Sequence, residues 1–298
     1  MNKSGKTKYC LALLSGILAL NSCQSNRVQE KEEEEKKKYN VLFISIDDLR
    51  TELNCYGANH IKSPNIDQLA SQGVRFTEAH VQQAICMASR ASVMTGIRPE
   101  KHGIYTGESV ESLLPDVLTL NKFFKQNGYS IAATGKVYHH GIDHKNQSGD
   151  DYMTQGGTWT GRGYVTEEAI KQIDLNPEGR GPAYEYADVH DTIYQDGLNT
   201  FYAVKKMEEL KNEDKPFFLA VGLKKPHLPF VAPEKYWDMY PESSVMLPEI
   251  TEWPENTGEH TMRLRGEINH YYGIPHMYDE IDDSTALILR RAYYACVS

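Results

Sequence analysis

The sequence is poor in cysteine and in positive charge, and it has no apolar run long enough to span a membrane. Five cysteines in 298 residues do not make the disulfide framework of a small secreted domain. The formal charge of −9 at pH 7 disfavours a nucleic acid as partner, because phosphate binding needs clustered lysine and arginine. A few cations in a pocket would suffice for a small anionic substrate. The content of 40% hydrophobic and 24% charged residues is that of a globular protein.

The first 22 residues have the pattern of an export signal. Three lysines precede the apolar run Tyr9–Leu20, which is too short to cross a bilayer but suits a signal sequence. The run ends in Leu20-Asn21-Ser22-Cys23, which resembles the lipobox of bacterial lipoproteins. The resemblance implies that Cys23 begins the mature chain and carries the lipid, so we expect a protein exported and anchored to the cell envelope, in the periplasm or on the outer-membrane surface. The alternative is an ordinary signal peptide with a chance cysteine.

A charged stretch separates this signal from the globular part. It contains the run EKEEEEKKK, which is typical of a solvated tether or, equally, of a disordered linker. We therefore divide the chain into a signal at 1–22, a tether at 23–39 and a globular domain at 40–298.

Hydrophobic periodicity and turn residues predict alternating strands and helices in the globular part. The predicted strands are 41–46, 74–77, 129–134 and 217–223, and the predicted helices begin near residues 63, 116 and 199 and end before Gly73, at Asn127 and at Leu210. Residues 142–200 are polar and rich in Gly, Asp and Tyr, and we expect a loop-heavy insertion there. The order predicts an α/β domain whose largely parallel sheet has helices on both faces.

Chemically active residues follow three of the predicted strands directly. They are Asp47-Asp48, Lys136 and Pro226-His227. In sheets of this kind, ligands bind beyond the carboxyl ends of the strands. We therefore expect these residues to belong to one site.

The most informative stretch is Cys86 to Gly96 (CMASRASVMTG), which resembles the sulfatase signature Cys-x-Pro/Ala-Ser-Arg followed by Thr-Gly. The resemblance implies that a maturation enzyme oxidises Cys86 to formylglycine and that Arg90 belongs to the site. In the hydrated aldehyde, one hydroxyl attacks sulfur and the other then expels sulfate. Ala88 replaces the commoner proline, which bears on which maturation system acts. The alternative is a buried cysteine at a helix start with Arg90 in a salt bridge, but the eleven-residue match favours the sulfatase interpretation.

Asp47 and Asp48 resemble the first two metal ligands of the same family. The resemblance implies a site for Ca²⁺ or Mg²⁺, with the group derived from Cys86 as a further ligand. Adjacent carboxylates supply the hard oxygens that these cations prefer, and the cation polarises a sulfate oxygen. Without the other motifs, such a pair is more often a solvated turn.

Two further segments fit the family pattern. In Gly135–His139 (GKVYH), the resemblance implies that Lys136 neutralises sulfate and that His139 takes a proton from the hydrate. His140 is adjacent, so the choice between the two histidines stays open. In Lys225–Phe230 (KPHLPF), His227 would protonate the departing alkoxide or stay cationic against the sulfate. Taken singly, such a lysine is normally a surface residue and such histidines are more often structural.

The resemblance extends over residues 40–298 and is closest to the iduronate-2-sulfatase branch. It implies an alkaline-phosphatase-like fold and removal of sulfate from a sulfated glycan of the glycosaminoglycan type. The alternatives are a phosphate or phosphonate ester hydrolase on the same fold and an inactive, truncated surface lipoprotein that binds glycans.

One family element does not occur in the sequence. Members bind the metal with a further Asp followed by His or Asn, usually before Gly, yet neither Asp-His-Gly nor Asp-Asn-Gly is present. We expect half of the metal shell and a C-terminal subdomain to be missing, and the 298-residue chain alone to be inactive. We also expect an unpaired sheet edge with exposed apolar surface.

Overall fold

The computed structural model describes residues 38–143, 152–153, 163–252, 254–258, 266–275 and 280–298. The predicted signal, the lipid-bearing Cys23 and most of the tether lie outside the described residues. Within them, the strands are β1 (Val41–Ile46), β2 (Ser130–Gly135), β3 (Tyr152–Met153), β4 (Tyr184–Ala187), β5 (Phe217–Leu223) and β6 (Phe230–Pro233). No helix of the described part is both long and apolar enough to cross a membrane.

The longer helices of the described residues are α1 (Pro64–Gln72), α2 (Cys86–Thr95), α5 (Leu120–Gln126), α6 (Glu167–Leu175), α7 (Gln195–Leu210) and α9 (Asp283–Val297). Three short helices are α3 (Pro99–His102), α4 (Val110–Leu113) and α8 (Glu234–Trp237). Single 3₁₀ turns occur at Asn54–Tyr56, Asp191–Ile193, Glu242–Ser244 and Glu267–His270.

The main sheet of the described part is parallel throughout, with the strand order β1-β5-β2-β3. Its central strand β5 (FFLAVGL) is buried from Phe217 to Gly222, as expected for a strand with neighbours on both sides and helices on both faces. The predicted α/β class and the predicted strands 41–46, 129–134 and 217–223 are confirmed, the second shifted by one residue.

Helices cover both faces of this sheet, as predicted. On one face, α2 and α5 pack through Met94 and Phe124 against Phe218 of β5. On the other face, α7 packs through Ala203 and Leu210 against β5 and β2. The two clusters bury the apolar side chains that alternate along the strands.

Strand β1 lies at the edge of the main sheet and is covered on one face only. Val41 and Phe43 pack into the cluster with α2 and α5. Leu42 and Ile44 point to the α7 side, where they remain 45% and 48% exposed. Among the described residues β1 is thus an edge strand with half-exposed apolar side chains.

A second pair of parallel strands, β4 and β6, lies outside the main sheet. Trp237 of α8 and Ala292 and Ala295 of α9 pack against Ala232 of β6. In the predicted loop-heavy insertion at 142–200, the described residues include β4, α6 and the first turns of α7, joined by segments without regular helix or strand.

Two other element predictions need correction. Residues 74–77 form no strand, and Val74 and Phe76 are 82% and 71% exposed, since they have no partner strand among the described residues. The helix predicted from residue 116 begins only at Leu120, because Thr119 caps it by accepting a hydrogen bond from the Lys122 N–H. Phe123 of this helix is half exposed, whereas Phe124 packs against the sheet.

Candidate active site

The parallel strands β1, β2 and β5 bring the predicted site residues to one edge of the sheet. Asp47 follows β1, Lys136 follows β2, and the segment with His227 follows β5. Cys86 is the first residue of α2, which packs on the same sheet. All seven predicted site residues are among the described residues, and contacts link them as follows.

Asp47 is the centre of a buried ion-pair cluster. It is only 4% exposed, and its Oδ1 accepts a hydrogen bond from Arg90 Nη2 at 3.0 Å. Its Oδ2 pairs with the Lys136 ammonium. Burial alone would raise the pKa of Asp47, but Lys136 and Arg90 outweigh burial and hold the pKa below its usual value. Asp47 is therefore a carboxylate at neutral pH.

Arg90 also fixes the backbone that carries Lys136. Its Nη1 donates to the carbonyl oxygens of Lys136 and Val137, the latter at 3.1 Å, and to Ser45 Oγ at 3.2 Å. One guanidinium therefore joins the ends of β1 and β2 to α2. This arrangement uses the planar, multiple-donor geometry that lysine lacks.

Asp48 has a different environment from its neighbour. Its φ of 58° lies in the left-handed region, and its side chain is 60% exposed. Burial raises the pKa of Asp48, and the adjacent Asp47 carboxylate adds to the increase against the opposing effect of His227. The strained backbone directs two successive carboxyl groups into different surroundings, a conformation that aspartate tolerates better than most residues.

Cys86 lies beside His139, with 3.3 Å between Sγ and the histidine Nδ1. Burial raises the pKa of the Cys86 thiol, and the Asp47 and Asp48 carboxylates add to the increase, against the opposing effect of Lys136. The unmodified side chain is therefore a neutral thiol rather than the thiolate that acts as a nucleophile.

His139 is a neutral base at physiological pH. Burial lowers its pKa to about 4, with further lowering by Lys136 and His140. His140 stacks edge-on against His139, and its Nε2 is buried without a partner among the described residues. The contact with Cys86 thus favours His139 over His140 for the predicted proton acceptor.

The His227 ring is fixed at both nitrogens. Its Nδ1 lies 2.6 Å from the Leu228 carbonyl oxygen, so the Nδ1–H donates to that oxygen. Its Nε2 is 3.4 Å from Glu267 Oε2 and 3.9 Å from Asp48 Oδ2. Nε2 is therefore the nitrogen that faces the site.

Glu267 was not predicted from the sequence. Its Oε1 accepts from Arg180 Nη1 at 2.5 Å and from the Tyr271 hydroxyl at 3.2 Å. Burial would raise its pKa, but Arg180 and His227 outweigh burial and hold the pKa below its usual value. No motif surrounds Glu267 in the sequence, and only the folded chain brings it to His227.

The carboxylates fit a divalent cation as part of a coordination shell. The described residues contain no group of three or more His, Cys, Asp and Glu that is arranged to hold a metal. Both oxygens of Asp47 pair with cations, whereas the Asp48 side chain is largely exposed. The donor chemistry suits Ca²⁺ or Mg²⁺, but these two residues alone supply fewer oxygens than either ion requires.

Comparisons with known proteins agree with this geometry. The family model described as Sulfatase matches residues 39–292. Iduronate 2-sulfatase of Homo sapiens is 35% identical over 227 residues, which cover 72% of this chain and 40% of the human protein. The Mus musculus protein of the same name is 34% identical over 274 residues, covering 87% of this chain and 49% of the relative. The chain thus spans less than half the length of these two relatives.

Solved structures share the fold. A phosphonate monoester hydrolase from Silicibacter pomeroyi superposes with a TM-score of 0.63 at 21% identity, over 87% of this chain and 56% of that one. The superposition shows the alkaline-phosphatase-like fold, and at this low identity it does not identify the substrate.

Proposed function

Because the chain belongs to the sulfatase family, we propose that the protein hydrolyses sulfate esters through a formylglycine derived from Cys86. The observation that carries the proposal is the 3.3 Å contact between Cys86 Sγ and His139 Nδ1, within a cluster that also holds Arg90 and Lys136. Formylglycine at this position would supply a hydrated aldehyde whose hydroxyl attacks sulfur.

The surrounding residues have distinct proposed functions. His139, neutral at pH 7, accepts a proton at Nδ1 from the hydroxyl bound to the modified residue 86. The Lys136 ammonium lies at the end of β2 and stabilises the negative charge of the sulfate. The hydrogen bond from His227 Nδ1 to the Leu228 carbonyl oxygen orients the ring. Its Nε2 then donates a proton to the departing alkoxide. Arg90 keeps Lys136 in place through the backbone.

We propose Ca²⁺ or Mg²⁺ as the divalent cation, bound partly by Asp47 and Asp48. When bound, the cation would polarise a sulfate oxygen. The substrate proposal is a sulfated glycan of the glycosaminoglycan type, supported by the similarity to iduronate 2-sulfatases.

The test uses the full gene product made together with a sulfatase-maturation enzyme. The mass of the peptide containing residue 86 should fall by the cysteine-to-aldehyde difference, and the enzyme should release sulfate from 4-nitrophenyl sulfate and from a sulfated disaccharide. Cys86→Ala should abolish turnover while circular dichroism stays unchanged. Activity with an unmodified thiol would refute the mechanism, and faster turnover of 4-nitrophenyl phosphate or a phosphonate ester would refute the assignment to sulfate.

We also propose that Cys23 carries a lipid that anchors the protein to the cell envelope. The proposal rests on the lipobox-like residues 20–23. Cys23→Ser should move the protein from the membrane fraction to the soluble fraction. Retention of this variant in the membrane fraction would contradict the proposal.

A further inference from the structure

The segment that carries His227 has no regular secondary structure of its own. The β5 ladder ends at Leu223, β6 begins at Phe230, and residues 224–229 connect them. A partly buried connection of this kind needs partners for its backbone N–H and C=O groups. The structure supplies these partners from the side chains of two ionisable residues.

The first is Asp196, in the first turn of α7. Its Oδ2 accepts the backbone N–H groups of Lys224 at 2.8 Å and of Lys225 at 2.6 Å. Burial raises the pKa of Asp196, and these two hydrogen bonds oppose the increase. Its Oδ1 is buried without a hydrogen-bond partner among the described residues. One carboxylate oxygen of Asp196 thus binds both N–H groups at the start of the segment.

The second is Lys225 itself. Its ammonium donates to the carbonyl oxygens of His227 and Pro229, both at 2.5 Å. Burial lowers the pKa of Lys225. The His227 N–H donates to the Lys224 carbonyl at 2.9 Å. The backbone of His227 is thus held from both sides, and its ring is held by Leu228.

We propose that Asp196 and Lys225 are positioning residues that place His227 Nε2 for proton donation to the leaving group. This inference rests on the proposed function, because it assigns the two residues a purpose in the same reaction. Hydrogen bonds that satisfy the backbone groups of a buried connection limit the positions that its residues can adopt. A misplacement of about 1 Å at a catalytic group can cost about 10²-fold in rate.

The test measures kcat/KM of the full, matured gene product on two substrates, an unactivated alkyl sulfate and 4-nitrophenyl sulfate. Only the alkyl sulfate needs a proton on its leaving group. Asp196→Ala and Lys225→Met should each lower the rate on the alkyl sulfate about tenfold more than the rate on the aryl sulfate. Asp196→Asn should remain within about twofold of the wild type, because one amide oxygen can accept both N–H groups. Asp214→Ala and Lys205→Met, at exposed positions, are the matched controls.

The inference that Asp196 and Lys225 position His227 can be overturned by several results. Equal losses on both substrates, no loss, or an Asn variant as impaired as the Ala variant would overturn the inference. So would a failure of both Asp196→Ala and Lys225→Met to fold, which circular dichroism would detect. The proposed function is tested separately: a wild-type enzyme that releases no sulfate, or His227→Ala without a leaving-group effect, would refute it regardless of these variants.

Discussion

The buried pair of Arg90 and Asp47 gives the sharpest stability prediction. Arg90→Ala removes the guanidinium that contacts Asp47 at 3.0 Å and the Val137 carbonyl at 3.1 Å. It leaves a carboxylate that is 4% exposed with Lys136 as its remaining charged partner. The carbonyl oxygens of Lys136 and Val137 also lose the hydrogen bonds that Arg90 donates. The change therefore strands polar groups in the interior.

The expected cost follows from these contacts. Removing one partner of a buried ion pair typically costs about 3–5 kcal/mol. Because Lys136 still neutralises Asp47, we expect a value near the lower limit, about 3 kcal/mol. Arg98 provides the matched control, since it pairs with Glu100 at 3.0 Å on the surface, with the two side chains 68% and 52% exposed. Arg98→Ala should cost less than about 1 kcal/mol.

Urea unfolding followed by circular dichroism measures both variants, and thermal melting gives a second estimate. For a domain of this size, about 3 kcal/mol corresponds to a decrease in Tm of roughly 6–12 °C. Arg90→Lys should recover only part of the loss, because an ammonium cannot reach all the acceptors that the guanidinium joins. A cost below about 1 kcal/mol for Arg90→Ala, or equal costs for Arg90→Ala and Arg98→Ala, would refute the reasoning.

Three further predictions concern the reaction, the pH and the metal. Lys136→Ala and His139→Ala should each lower kcat on a sulfate ester by about 10²-fold or more, measured in matured protein whose circular dichroism is unchanged; losses below about threefold would contradict their roles. Burial lowers the pKa of His102 in the folded protein. The unfolded chain, with a His pKa of about 6.5, therefore binds the proton first as the pH falls, and the free energy of unfolding should decrease below that pH by up to about 1.4 kcal/mol per pH unit. Urea unfolding at several pH values should show this slope, and His102→Gln should reduce it. Among the described residues, Asp47 and Asp48 supply too few free oxygens for a shell of about six to eight. Calorimetry on residues 23–298 should therefore show little Ca²⁺ binding, and tight binding would show that other residues complete the site.

Much of the sheet could be predicted because its signal is local. The strands β1 and β5 are continuous apolar runs, and each is followed directly by residues with chemical function. Strand direction and topology then force those residues to one edge of the sheet. The predicted association of Asp47, Lys136 and His227 required no knowledge of side-chain packing.

The features that were predicted wrongly or missed depend on contacts between residues far apart in the sequence. Residues 74–77 alternate apolar and polar side chains, but a strand also requires a neighbour with which to pair. Strand β4 is short and becomes ordered against β6, more than 40 residues away. Glu267 and Asp196 belong to no recognisable motif, and their importance depends on which loop they contact. Local pattern could not reveal either residue.

The charges of five groups in the described site determine what a bound divalent cation would add. Arg90 and Lys136 carry two positive charges, and Asp47 and Asp48 carry two negative charges when both are ionised. His139 is neutral at physiological pH, because burial lowers its pKa to about 4. These five groups therefore sum to zero, so they offer a sulfate ester little net attraction at long range. A divalent cation on the carboxylates would make the same pocket doubly positive, and it would favour the ionised form of Asp48, whose pKa is otherwise raised. A bound divalent cation would therefore supply the net positive charge that these five groups lack.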